Sequence, residues 1–350
     1  MPRWFKSSIH MRSVCVLRGD GIGPEVIDCA TRVLNAVTDD IEIVHADIGQ
    51  QAYKRTGKYL PDDTFEAMVD ADSCLFGAVT STSGAEYDSP VLGFRKRLDL
   101  FANIRPSRDF LCPGGIGVDL VIVRENTEGL YTQDEDEDEG GVTTRRRVSQ
   151  DASKRIIRCA IELARGRRRS ICCVHKANVL RKSDGLFLSL FTEAAENESD
   201  WLSHSDQLVD SAAAGIVTKP EKFDVIVTLN MYGDILSDVA AAVVGGLGFA
   251  PSGNIGPSHS VFEPAHGSAP DIAGMGVANP TAAILSAGMM LEHLGMKDES
   301  TRVVEAISAV YMSGTRTVDI GGDYGSERFT DKVIHYLPQA ERRAGGRVLD

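Results

Sequence analysis

Short apolar runs recur along the chain at 14–17, 41–44, 73–76, 120–123, 171–174 and 225–229, and several of the intervals between them carry apolar residues at helical spacing. Runs of that length suit strands, and strands that alternate with helices bury their apolar faces by packing as layers, so the chain is expected to be α/β. The first unit is the most explicit. The run at 14–17 leads into Gly19, Asp20, Gly21, Ile22, Gly23 and Pro24, followed by Val26, Ile27, Ala30, Val33, Leu34 and Val37 at helical spacing. The order is strand, tight turn, helix. A dinucleotide fingerprint would place a third glycine where Pro24 stands, so the Rossmann pattern fails here. The turn serves either as structural punctuation or as backbone brought close to a ligand.

With 350 residues, 43% of them hydrophobic, the chain is long enough for two lobes around a sizeable core. Its 37 Lys and Arg against 50 Asp and Glu give a net charge of -13, which argues against nucleic acid or an anionic membrane as partner. No apolar run reaches a membrane span and no secretory signal opens the sequence, so a cytoplasmic location is expected. Residues 1–10 carry no periodic pattern and are expected to be a disordered extension or a misassigned start before Met11. Seven cysteines without paired CxxC spacing fit reduced, mostly buried thiols. The carboxylate run 134–139 is expected to be a flexible solvated loop, and the basic run 165–169 a solvated helix end.

Chemistry concentrates in four places. Arg95, Arg105 and Arg124 each end a patterned segment, and guanidinium forks grip carboxylates in two places at once, so a dicarboxylate or tricarboxylate is the expected substrate. Asp234 and Asp238 lie one helical turn apart among Ile235, Leu236, Val239 and Ala240. Their mutual repulsion would be relieved by a hard cation, Mg²⁺ or Mn²⁺. The stretch 261–271 mixes small and polar residues as a nucleotide loop would. Within it Asp271 could accept from a ribose hydroxyl and repel a 2′-phosphate, and Asn279 could reach an adenine edge, so NAD is expected over NADP.

The segments GDGIGPEV, LDLFANIRP, VRENTEGLY, HKANVL, NMYGDILSD and FEPAHGSAPDIAG together resemble the β-decarboxylating dehydrogenases, the family of isocitrate, isopropylmalate and homoisocitrate dehydrogenases, from about Met11 onward. Within it the archaeal isopropylmalate and homoisocitrate branch is the nearest in pattern. The resemblance implies a non-Rossmann fold of two α/β lobes, 11–99 plus 245–350 for NAD and 100–244 for dimerisation, metal and substrate, with a cleft between. It implies that Arg95, Arg105 and Arg124 hold the malate carboxylates and that Asp210, Asp234 and Asp238 bind the metal. Tyr131 and Lys176 would carry the proton transfers, and Asn178 would lie near the nicotinamide. Glu263, His266, Gly267, Ala269, Asp271 and Asn279 match the NAD loop. Lys176 and Asp210 reach the site from a partner subunit in this family, so a homodimer with shared sites is implied, with a dimer of dimers as the alternative assembly.

The family chemistry is hydride transfer to NAD from a substituted malate, then loss of carbon dioxide. The third substituent should meet the segment 87–94, where Ser89 matches isocitrate enzymes but Val91 and Leu92 suit an apolar group. Homoisocitrate and 3-isopropylmalate are the leading substrates, with isocitrate and tartrate or malate behind them. A non-catalytic regulatory subunit is the reading from another class, and the joint presence of Tyr131, Lys176, Asp210, Asp234 and Asp238 speaks against it.

Overall fold

The computed structural model describes residues 11–80, 89–112 and 117–345; the segment 1–10 and the Tyr87 and Asp88 portion of the specificity segment lie outside these. The chain runs β1 (Arg12–Gly19), α1 (Gly23–Val37), β2 (Ile41–Ala46), α2 (Gln50–Thr56), α3 (Asp62–Asp70), β3 (Ser73–Ala78), α4 (Pro90–Arg97), β4 (Ala102–Arg108) and β5 (Asp119–Glu125). It continues through β6 (Glu135–Asp138), β7 (Gly141–Thr144), α5 (Gln150–Arg165), β8 (Ser170–His175), α6 (Ser183–Glu196), β9 (Ser203–Leu208), α7 (Val209–Thr218), β10 (Val225–Thr228) and α8 (Asn230–Val243). It ends with β11 (Pro251–Ile255), β12 (Ser260–Pro264), α9 (Thr281–His293), α10 (Lys297–Met312) and α11 (Ser326–Gly345).

Each of the six apolar runs falls within or across a strand of one large sheet, ordered β2-β1-β3-β12-β11-β4-β5-β10-β8-β9. Both ends of the sheet are parallel, while β12, β11, β4 and β5 run antiparallel to one another through its middle. Two helix-covered α/β lobes therefore share one sheet, and no barrel closes. A dinucleotide-binding sheet has no such antiparallel centre.

The glycine turn is resolved in favour of packing. Gly19 and Gly21 take φ of 75° and 60°, and a Cβ on either would sit 1.9 Å from a backbone oxygen, that of Ala78 or Ser268. Ile22 N donates to Ser268 O at 2.8 Å, so the turn seats the 265–271 loop.

Two expectations are corrected. The acidic run is no irregular loop: β6 and β7 form an antiparallel hairpin, exposed throughout. Strand geometry sends successive carboxylates to opposite faces, and Arg145 pairs with both Asp134 and Asp136 on one of them. The basic run is only partly solvated. Arg167 donates to Asp224 at 2.8 Å and to Asp119 at 2.7 Å, and the Asp224 side chain is buried. All seven cysteines are free, and five of them are buried. Among the described residues no helix is long and apolar enough to cross a membrane.

Candidate active site

Three elements aim the predicted arginines at one place. Arg95 leaves the last turn of α4, whose start is capped by Ser89, while Arg105 and Arg124 leave the neighbouring strands β4 and β5. All three are buried. Arg95 donates to Glu263 at 2.7 Å and Arg105 to Ser237 at 2.7 Å, yet the Nε of each is buried with no partner among the described residues. A buried cationic donor left unpaired is costly, and an anion in the adjacent cleft would satisfy it. Arg124, only 1% exposed, spends its fork differently: Nε and Nη2 both donate to Asn230 Oδ1 at 3.0 and 2.7 Å, and Nη1 reaches Asp234.

Helix α8 supplies the acidic side. Arg105 lies 3.1 Å from Asp234 and 3.6 Å from Asp238, so one guanidinium spans both carboxylates. Burial alone would raise the Asp234 carboxyl, but Arg124, Arg105 and the Tyr131 hydroxyl together hold it below its usual value. Asp238, farther from the arginines, is pushed up by burial and by its neighbour Asp234. Tyr131 donates its hydroxyl to Asp234, and burial followed by that bond raises its pKa, so it keeps its proton at neutral pH.

Asn230 and Ser237 were not anticipated. Both share the helical face of Asp234 and Asp238, at spacings of four and three residues, so periodicity could have found them. Gly233 makes room for the arrangement: a Cβ there would lie 2.6 Å from Arg124 Cγ. The Arg124 stem is enclosed and cannot swing aside. Gly233→Ala should therefore lower activity toward the substrate about 10- to 100-fold through misplacement of the guanidinium, and stability by about 1–3 kcal/mol. Steady-state kinetics beside a thermal melt will measure both, and unchanged kinetics would show that the path of Arg124 is not critical.

A cavity of about 580 Å³ opens beside these groups. Ser89, Val91, Leu92, Arg95, Arg105 and Tyr131 line it, as do Glu263, His266 and Gly267 from the opposite wall. Val79, Leu130 and Met231 extend its apolar side, and Gln133 and Glu135 bring polar groups from the hairpin end. Burial holds the His266 imidazole below its usual pKa, and its Nε2 has no partner among the described residues, a vacancy in hydrogen bonding that a polar ligand such as NAD fits. Behind Arg95 the site is backed by side-chain amides. Glu263 also accepts from Asn254 at 2.7 Å, and Asn254 in turn accepts from Asn103 at 3.0 Å and Asn126 at 3.1 Å. Ala269 (φ 36°) and the exposed Asp271 sit on the turn beyond Gly267, outside the cavity wall. Asn279 is buried, donating to Asp319 at 3.1 Å and accepting from Thr281 N at 3.0 Å at the start of α9.

Lys176, Asn178 and Asp210 do not join the cavity of their own chain. Lys176 pairs with Asp210, and Asn178 is exposed. Among the described residues no three His, Cys, Asp or Glu side chains gather as a metal site would require. Asp234 and Asp238 are an all-oxygen pair suited to a hard cation, and they fit Mg²⁺ or Mn²⁺ if a further carboxylate arrives from outside the chain.

Comparison with known proteins adds the following. The family model for isocitrate/isopropylmalate dehydrogenase matches residues 13–334. An isocitrate/homoisocitrate dehydrogenase of Thermus thermophilus is 48% identical over 93% of this chain and 98% of its own. A 3-isopropylmalate/3-methylmalate dehydrogenase of Methanocaldococcus jannaschii is 46% identical over 92% and 98%. The crystal structure of an isocitrate dehydrogenase from Methylococcus capsulatus superimposes with a TM-score of 0.89 at 37% identity, covering 93% of this chain and 99% of that one.

Proposed function

Since the chain belongs to the isocitrate/isopropylmalate dehydrogenase family, we propose that it carries out NAD-dependent oxidative decarboxylation of a 3-substituted malate, with homoisocitrate the first candidate and 3-isopropylmalate the second. The observation that carries this reading is the facing of three buried guanidiniums, two with unpaired Nε donors, against Asp234, Asp238 and the Tyr131 hydroxyl.

In this reading Arg95, Arg105 and Arg124 fix the substrate carboxylates, so the reacting carbon is presented in one orientation. Lys176 of a second copy would take the proton of the 2-hydroxyl as hydride leaves the carbon. Tyr131, kept protonated by burial and by Asp234, returns a proton to carbon after carbon dioxide departs. Asp234 and Asp238, with Asp210 of a second copy, would hold a divalent cation whose chemistry is Lewis acidity, and Glu263, His266, Gly267, Ala269, Asp271, Asn279 and Asn178 would hold NAD, the hydride acceptor.

The reading includes a homodimer, which the exposed surface beside the site supports. On α8 the exposed stripe is Met231, Ile235, Asp238 and Ala242, and on the neighbouring α7 it includes Asp210, Ala214 and Val217. Mostly apolar stripes with an aspartate in each ask for cover by a second chain that also brings its own Asp210. The lobes are taken as 11–99 plus 245–350 and 100–244, and positive φ at Asp99 and at Gly245 and Gly246 falls at both boundaries.

For the substrate's third group, the apolar wall of Val79, Val91 and Leu92 together with Glu135 favours an isopropyl group over a carboxylate placed nearby. Homoisocitrate is kept first because the Tyr-Xaa-Ser-Pro pattern of Tyr87, Ser89 and Pro90 resembles homoisocitrate enzymes, and by the name of the Thermus relative. NADH formation by the purified chain with Mg²⁺ and equal concentrations of homoisocitrate, 3-isopropylmalate, isocitrate and tartrate separates these. Turnover of homoisocitrate and 3-isopropylmalate about ten-fold above isocitrate and tartrate is expected, with homoisocitrate slightly ahead, and no NADH from any of them would return the chain to the regulatory-subunit reading.

A further inference from the structure

Asp184 is a carboxylate in the first turn of α6 with 0% exposure, and none of the chemistry above uses it. One oxygen accepts from the backbone N of Lys176 at 2.8 Å. The other accepts from Arg146, which leaves the chain just after β7 and whose guanidinium also lies 5.2 Å from the centre of the Tyr232 ring on α8. One buried ion pair thus ties together the loop bearing Lys176, the root of the hairpin that follows Tyr131, and the helix bearing Asp234 and Asp238. The next amide along is pinned as well: Ala177 N donates to His175 Nδ1 at 3.0 Å, which leaves Nε2 to donate to Asp206 at 3.0 Å. Ion pairs buried this deeply seldom add net stability compared with apolar packing, so what they contribute is a fixed geometry.

We infer that Asp184, neutralised by Arg146, is a positioning residue that sets the direction in which Lys176 projects. This rests on the assignment of Lys176 as the proton acceptor, but the contact between Asp184 and the Lys176 amide stands apart from it. Asparagine at 184 is a weaker, uncharged acceptor for that amide, and the charge that holds Arg146 is lost as well. Displacing a reacting group by an ångström costs up to about 100-fold in rate.

The test uses the full chain with its metal and NAD. Asp184→Asn and Arg146→Gln should each lower kcat about 10- to 100-fold while the KM values for substrate and NAD move less than about three-fold, and Arg146→Lys should recover much of the loss. In a Lys176→Met background Asp184→Asn should cost nothing further, because there is no amine left to misplace. Hydrogen exchange at the Lys176 amide should speed up about ten-fold in Asp184→Asn whatever happens to turnover. A loss of the same size in both backgrounds, a loss confined to KM, or unchanged exchange at Lys176 would each overturn the inference. Full activity of Lys176→Met would instead remove the assignment of the base, and the exchange measurement would still decide whether Asp184 holds the loop.

Discussion

Replacing Asp234 with Asn should lower kcat/KM by about 10³-fold, more than any other single change on α8, since removing one preorganised electrostatic partner at a reacting centre costs about 10²- to 10³-fold and this side chain serves several. It is paired with Arg124 and Arg105, receives the Tyr131 hydroxyl, and shares with Asp238 an oxygen pair suited to a hard cation. The amide is nearly isosteric, so packing is preserved while the charge is lost. Stability should fall too. Breaking a buried pair costs about 3–5 kcal/mol, and because the Asp234 side chain is about one-third exposed, solvent screening lowers the expectation to about 1–2 kcal/mol. The sign of the pH dependence follows from the depressed carboxyl. The stabilisation is complete above the unfolded value near pH 4 and is lost as the pH falls through the lower folded value. Melts of the two proteins should therefore differ by a constant amount above about pH 5 and converge in acid. Wild-type turnover by Asp234→Asn across a Mg²⁺ titration would contradict the proposed site.

Arg124→Lys is expected to be the next most damaging change, with kcat/KM down about 10²-fold and the substrate KM raised, although the charge is conserved. The reason is the fork. Nε and Nη2 converge on Asn230 Oδ1 while Nη1 turns to Asp234, and one ammonium cannot meet both at those distances from the same stem. Whichever acceptor is abandoned stays enclosed, at a cost of about 1–3 kcal/mol. Kinetics with varied substrate at saturating NAD, beside a thermal melt, measure this, and an unchanged KM would mean that Arg124 supports α8 without touching the substrate.

The parts of the fold that could be read in the sequence are those where apolar periodicity decides: β1, β3, β5, β8 and β10 are built on Val, Ile, Leu, Cys and Phe that are buried. The strands that escaped are those whose inward positions are polar. In β4 the buried side chains include Asn103, Arg105 and Ser107, in β11 Ser252 and Asn254, and in β12 Glu263, and Asn103, Arg105, Ser252, Asn254 and Glu263 bond to one another or to the site. A pattern search that counts apolar residues passes over them, and β9 is an edge strand with mostly exposed side chains. Within the site, the arginines, Tyr131 and the two aspartates were legible through the family motifs, and the structure brings them together. Lys176 and Asp210 were legible only as residues awaiting another copy, and one chain leaves them paired with each other. Nothing local distinguishes Asp184 from any acid at a helix start; its importance comes from burial, which only the fold creates.

The carboxamides at the centre of the sheet have a consequence for how the strands find one another. Asn254 stands opposite Asn103 in the ladder between β11 and β4, and Asn103 also donates to Ser252 at 2.8 Å. If β4 slid by a single position during assembly, Asn103 would turn to the opposite face, and Ser252 and Asn254 would each lose their bond to it inside the core. Aliphatic residues there would tolerate several alignments almost equally well. Uncharged amides tolerate one, and because they neither titrate nor respond to ionic strength, they keep the two halves in the same alignment under conditions that loosen the surface ion pairs.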